Sequence, residues 1–253
     1  MNSWTATETP LIIAHRGASA DLPENTLAAF ALAAEQGADG IELDVQLTAD
    51  KRIVIFHDPT LERFTGSKSK VSELTLAELK TVDLGEGQTI PTLDELLEFL
   101  GPRLLYNIEL KNLSLRDNGL EAAVADRIES FALLDLTLVS SFNPFSVRRA
   151  RQVFHRSVPI ALVRARGLRQ YTYLLSSEQA DHPHHSLVDD KYMEWAKKRN
   201  YRIHAWTVDE PREARFDVYK CYAYQREDRA YLDSILCGLC LYVCPYGKNK
   251  PVA

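Results

Sequence analysis

The sequence predicts an α/β protein folded as a (β/α)8 (TIM) barrel, with a small insertion after the third strand and an atypical closing segment. Short apolar runs alternate with helical patterns along most of the chain, as repeated β-α units and a parallel sheet require. Eight such runs fit within about 200 residues, the usual span of this architecture. Four of them also end in ionisable residues: I-I-A-His15-Arg16-G, G-I-Glu42-L-Asp44-V, I-V-I-F-His57-Asp58 and L-Y-N-I-Glu109-L-Lys111. Charged groups are costly to bury unpaired, so four parallel strands delivering them to one rim predict an active site there.

After the first strand, Asn25 or Thr26 is placed to cap a helix with Leu27, Phe30, Ala31 and Ala34 on one face, and Gly37 to end it. The second and third strands (about 39–45 and 52–57) are separated only by the turn Thr48-Ala49-Asp50-Lys51. That connection is too short for a crossover helix, so the barrel is expected to be irregular here. An excursion over about 58–103 carries two capping boxes, Thr75 with Glu78 and Thr92 with Glu95, each opening a leucine-rich helix. Gly101-Pro102 then leads into the fourth strand. A helix at about 117–132 precedes T-L-V-S-S-F, the fifth strand, and Asn143-Pro144 starts the next helix. V-P-I-A-L-V is the sixth strand, a short run near 179–183 the seventh, and Y-R-I-H-A-W-T-V, after a helix at about 189–199, the eighth.

Composition excludes several classes. A net charge of −5 and a pI near 5.8 argue against a nucleic-acid partner. No run approaches the 18 apolar residues that span a bilayer, and M-N-S-W-T-A-T-E-T-P lacks the pattern of a secretory signal, so a cytoplasmic protein is expected. All four cysteines (Cys221, Cys237, Cys240, Cys244) fall in the last 33 of 253 residues, which is no framework for stapling the main body.

Glu42 and Asp44 lie two apart on one strand and so share a face, and Glu109 ends another strand on the same rim. Three carboxylates about 4 Å apart repel by roughly 4 kcal/mol per pair at an effective dielectric near 20. A divalent cation removes that penalty, and all-oxygen ligation suits Mg2+ or Ca2+ better than Zn2+. The bland alternative is an exposed E-x-D face. His15 and His57 suit a general base and a general acid; the alternative for each is a core histidine bonded to backbone. Arg16 and Lys111 can hold a phosphoryl group as it gains charge, or can pair with the carboxylates, and both can hold at once.

In order along the chain, A-His15-Arg16-Gly17, Pro23-Glu24-Asn25-Thr26, Gly40-Ile41-Glu42-Leu43-Asp44-Val45, His57-Asp58, Asn107-Ile108-Glu109-Leu110-Lys111 and Trp206-Thr207-Val208 resemble the glycerophosphodiester phosphodiesterase family. The resemblance covers about residues 11–214. It implies a TIM-barrel hydrolase that cleaves small glycerophosphodiesters to sn-glycerol 3-phosphate and an alcohol. It further implies a divalent metal on Glu42, Asp44 and Glu109, acid and base at His15 and His57, phosphate contacts from Arg16 and Lys111, and glycerol packing on Trp206. The excursion at 58–103 matches the family's small inserted subdomain, and Glu24 is a candidate partner behind the site or a charged neighbour of the first helix start.

The expected division is a phosphodiesterase domain over 1–214 and a divergent Tyr/Cys-rich tail over 215–253. After W-T-V-D-E-P the family's closing segment, of the form G-V-D-G-I-I-T-D-x-P, is absent, and the junction at Arg215 reads as a frameshift, fusion or assembly fault against a genuine divergent tail. Ser234-x2-Cys237-x2-Cys240-x3-Cys244-Pro245 is similar to a bacterial ferredoxin cluster run with its first cysteine replaced, so a cluster or Zn2+ is a further reading of the tail. Competing functions are an inactive or merely phosphate-binding barrel, and a phospholipase-D-like lyase that forms a cyclic phosphate. Head group, metal identity, the assignment of acid and base, and oligomeric state stay open.

Overall fold

A computed structural model of the protein describes residues 3–6, 11–155, 157–165, 180–199, 202–208 and 239–243. In chain order the elements are α1 (Ser3–Ala6), β1 (Ile12–His15), α2 (Leu27–Glu35), β2 (Gly40–Leu47), β3 (Ile53–Ile55), α3 (Glu62–Thr65), α4 (Leu76–Leu79), α5 (Leu93–Leu100), β4 (Leu105–Leu110), α6 (Leu120–Ser130), β5 (Thr137–Ser141), α7 (Pro144–Val153), β6 (Ile160–Arg164), β7 (Ala180–Pro183), α8 (Asp190–Lys198), β8 (Arg202–Val208) and β9 (Leu239–Val243). Both expected capping boxes form, at Thr75 on α4 and Thr92 on α5. At α2 the cap is Thr26, whose hydroxyl accepts from the Ala29 amide.

Strands β1, β2, β4, β5, β6, β7 and β8 pair in parallel in that order. Between β8 and β1 lies β9, antiparallel to both, so the sheet closes on itself. The barrel expected from the sequence is therefore present, with seven parallel staves and one antiparallel one. The expectation of four parallel strands at the charged rim needs one correction. β3 is no stave: it pairs antiparallel with β2, Val45 against Ile55 and Leu47 against Ile53. The reason is the five-residue connection, which permits a hairpin but no crossover. Of the tail, β9 is described; Cys240 lies on it, while Cys221, Cys237 and Cys244, and with them the cluster reading, lie outside the described residues.

Alternation along the strands sorts the side chains into two layers. Ile41, Leu43 and Val45 of β2 and Tyr106, Ile108 and Leu110 of β4 face outward, packed with Phe30, Leu93, Leu97, Val124 and Val147 of the helices. The inward layer is apolar at the base, where Leu11, Ile13, Leu105, Leu138, Ala161 and Ala180 surround the buried Trp4 of α1. The Trp4 indole donates to the Leu136 carbonyl at 2.8 Å, so α1 plugs the N-terminal end of the barrel. Above that plug the same inward positions become polar. The excursion splits as well: Val54, Phe56, Leu61, Val71, Leu79, Val82, Leu84 and Ile90 form a separate core, whereas the leucines of α5 join the main one.

Candidate active site

Register alone assembles the carboxylates. The pairing of β1 with β2 sets His15 against Glu42, and that of β2 with β4 sets Asp44 against Glu109. One oxygen from each of Glu42, Asp44 and Glu109 lies within 4.8 Å of the others, and all three residues are buried. Two cations face them. The Lys111 ammonium is 2.8 Å from Glu109 and 3.4 Å from Asp44. Arg16 Nε lies 3.3 Å from Asp44 without hydrogen-bond geometry, and the Arg16 amide donates to the Glu42 carbonyl and carboxylate. Three carboxylates against two cations leave one negative charge uncompensated. Burial, then repulsion from Asp44 and Glu109, raises Glu42 well above the usual carboxylate range. Burial lifts Glu109 to about 6, with Lys111 opposing and the Asp44 charge adding to the rise. Asp44, though burial pushes it up, is held low by Lys111 and Arg16. The buried Glu42 Oε1 has no hydrogen-bond partner. An orphaned oxygen and one excess charge are what a hard divalent cation would satisfy, so the donor set fits one.

The two imidazoles arrive differently. His15 ends β1, its Nε2 3.8 Å from Glu42. Burial, reinforced by the Arg16 charge, lowers it to about 4, so it is neutral near pH 7. His57 follows β3 and re-enters the rim from the opposite direction. Its Nδ1 is 2.7 Å from the Asp58 carboxylate, which leaves Nε2 for chemistry. Burial lowers His57 as well, while Asp44 and Asp58 oppose the shift.

Residues beyond the seven ionisable ones complete the rim. Asn25, buried with φ 58°, donates to Asp44 at 2.9 Å and accepts from its amide. Gln46 donates to the carbonyls of Phe56 (2.7 Å) and Asp58 (2.8 Å), fixing the backbone that carries His57. Glu24 accepts from Arg16 and from Arg63, which also grips Asp58. Gly17, with φ +81°, lets the turn after Arg16 pass α2: a Cβ there would stand 2.7 Å from the Ala29 carbonyl carbon. Trp206 lies on β8, its indole donating to the His182 carbonyl at 2.8 Å. The Phe142 ring meets Trp206 edge-on at 5.5 Å, and Lys111 stands 5.7 Å from the Phe142 ring centre, so one aromatic wall leads to the cations. The structure thus gathers His15, Arg16, Glu42, Asp44, His57, Glu109 and Lys111 at one end of the barrel, with Trp206 joined through Phe142.

Paired cations beside buried carboxylates and two imidazoles suit an anion that gains charge while a proton moves, as in the class of barrel enzymes acting on phosphate esters. This sequence matches the Glycerophosphoryl diester phosphodiesterase family over residues 15–231, and the chain belongs to that family of phosphoric diester hydrolases. It is 37% identical over 209 residues to the glycerophosphodiester phosphodiesterase of Caldanaerobacter subterraneus subsp. tengcongensis, covering 79% of this chain and 86% of the relative. Among solved structures, an Oleispira antarctica phosphodiesterase in complex with the product sn-glycerol-3-phosphate superposes with a TM-score of 0.69 at 33% identity, covering 80% of this chain and 86% of that one. The glycerophosphodiester phosphodiesterase of Thermotoga maritima gives 0.65 at 27%, covering 81% and 89%. Among the described residues no helix is long and apolar enough to cross a membrane.

Proposed function

We propose that this chain hydrolyses small glycerophosphodiesters to sn-glycerol 3-phosphate and an alcohol, with Glu42, Asp44 and Glu109 holding a divalent cation, Mg2+ or Ca2+. The observation that carries the reading is the carboxylate triad within 4.8 Å, set between a neutral His15 and a carboxylate-anchored His57. The Oleispira relative, solved with sn-glycerol-3-phosphate, supports the substrate class. When bound, the cation supplies positive charge that polarises the phosphoryl oxygens.

The remaining work falls to side chains. Arg16 and Lys111 hold the phosphoryl oxygens and offset the charge that develops on them. His15, kept unprotonated by burial, takes the proton of the attacking hydroxyl, whether water or the glycerol 2-hydroxyl. His57, whose imidazolium the Asp58 carboxylate stabilises, returns a proton from Nε2 to the oxygen of the departing alcohol. Trp206, met edge-on by Phe142, offers an apolar ring face to the glycerol carbons. We assign these roles to a domain over 1–214 with its insertion at about 58–103, and no chemical role to the tail over 215–253.

The test is release of glycerol 3-phosphate from glycerophosphocholine by the full chain supplied with Mg2+ or Ca2+. Chelation by EDTA is expected to abolish it, and Glu42→Ala to lower kcat/KM by about a hundred-fold or more. Folded, metal-supplied protein that cleaves no glycerophosphodiester rejects the reading, and accumulation of a cyclic phosphate turns it toward the lyase.

A further inference from the structure

Between the barrel and the inserted segment runs an unbroken chain of charged groups, and its central member, Arg63 of α3, has no part in the chemistry assigned above. Its Nε donates to Asp58 Oδ2 at 2.7 Å and its Nη2 to Glu24 Oε1 at 2.6 Å. Asp58 spends its other oxygen on His57 Nδ1, at 2.7 Å. The same Glu24 oxygen also accepts from Arg16 Nη1, at 3.0 Å. The order is therefore His57, Asp58, Arg63, Glu24, Arg16, with a proton donor at one end and a phosphate ligand at the other.

We propose that Arg63 is a positioning residue for phosphodiester cleavage, a guanidinium through which the insertion fixes His57 by way of Asp58. This rests on the role assigned to His57 above. Three observations argue for it. The guanidinium is a planar fork whose donors have fixed directions, so gripping two carboxylates at once sets their separation, which the rotating ammonium of a lysine does not. Its own place is fixed: Arg63 Cζ lies 4.5 Å from the centre of the Phe64 ring, which meets Phe56, the residue before His57, at 5.4 Å. The backbone beneath His57 is already held by Gln46, so the freedom that remains is that of the Asp58 and His57 side chains, and Arg63 removes it. The Arg63 side chain is 46% exposed, and its replacement leaves no buried cavity.

The experiment compares two esters of glycerol 3-phosphate in the full, metal-supplied chain. Cleavage of glycerophosphocholine expels an alkoxide that needs a proton, whereas the 4-nitrophenyl ester expels a stable phenolate that does not. Arg63→Met is expected to lower kcat on glycerophosphocholine by about ten- to a hundred-fold, as loss of a residue orienting an acid does, and on the nitrophenyl ester by less than about three-fold. Asp58→Asn should reproduce the split, and it carries the test alone if Arg63→Met fails to fold. Equal losses on both esters, or no loss on either, overturn the proposal while leaving the phosphodiesterase reading intact. A wild-type chain that cleaves neither ester overturns that reading, and the proposal with it.

Discussion

Asn25 joins the P-E-N-T turn to the carboxylate triad: its side chain both donates to and accepts from Asp44, and its left-handed backbone aims it there. Asn25→Ala removes both bonds and leaves Asp44 buried with one partner fewer. The expected outcome is cation affinity weakened by about ten-fold, read by isothermal titration with Mg2+ and Ca2+, and a stability loss of roughly 1–3 kcal/mol in denaturant titration. Unchanged affinity would show that Lys111 and Arg16 suffice to hold Asp44. The seven ionisable residues of the rim were legible in the sequence because a charge at the end of an apolar run demands an explanation. Asn25, Gln46 and Phe142 were not, since an amide in a turn, an amide on a strand and an aromatic ring after a strand have ordinary uses, and the partners that give them a role are not their neighbours in sequence. Arg63 was hidden for the same reason: it lies 39 residues from Glu24.

On β7, His182 faces the barrel interior, its ring centre 4.4 Å from that of His204, and burial lowers it to about 3. Its native pKa is below the ordinary value near 6.5, so the unfolded chain binds a proton that the folded chain refuses. Stability contributed by the neutral form is thus complete above pH 6.5 and is lost as pH falls from there toward 3. In thermal melts across that window the wild type should lose Tm more steeply than His182→Leu; parallel curves would mean that His182 does not resist protonation. Strand positions were legible from apolar runs, including the short seventh. The direction of β3 was not, because an apolar run carries no polarity of its own. The five-residue connection before it held the information, as a limit on connection length rather than a pattern.

Across the whole molecule, closure depends on a strand drawn from the Tyr/Cys-rich tail. β9 covers the hydrogen-bonding edges of both β8 and β1. Deleting residues 239–253 exposes two edges in an otherwise closed sheet, so a Tm lower by about 10 °C or more and a greater tendency to aggregate are expected, read by calorimetry and light scattering. A truncated chain that melts like the full one would show that β9 adds no stability. The Tyr/Cys-rich composition gave no hint of this placement, since the tail carries no helical stripe and an antiparallel stave needs no crossover to announce it.

The hairpin of β2 and β3 has a consequence for how the site comes together. Asp44 and His57 stand 13 residues apart in the chain, whereas Asp44 and Glu109 stand 65 apart. Loop-closure entropy grows with the logarithm of that length, so meeting Glu109 costs about 1.4 kcal/mol more than meeting His57. The carboxylate and the imidazole proposed as metal ligand and proton donor are thus joined by a short tether, and they can stay in register through a breathing motion that parts the longer-range staves.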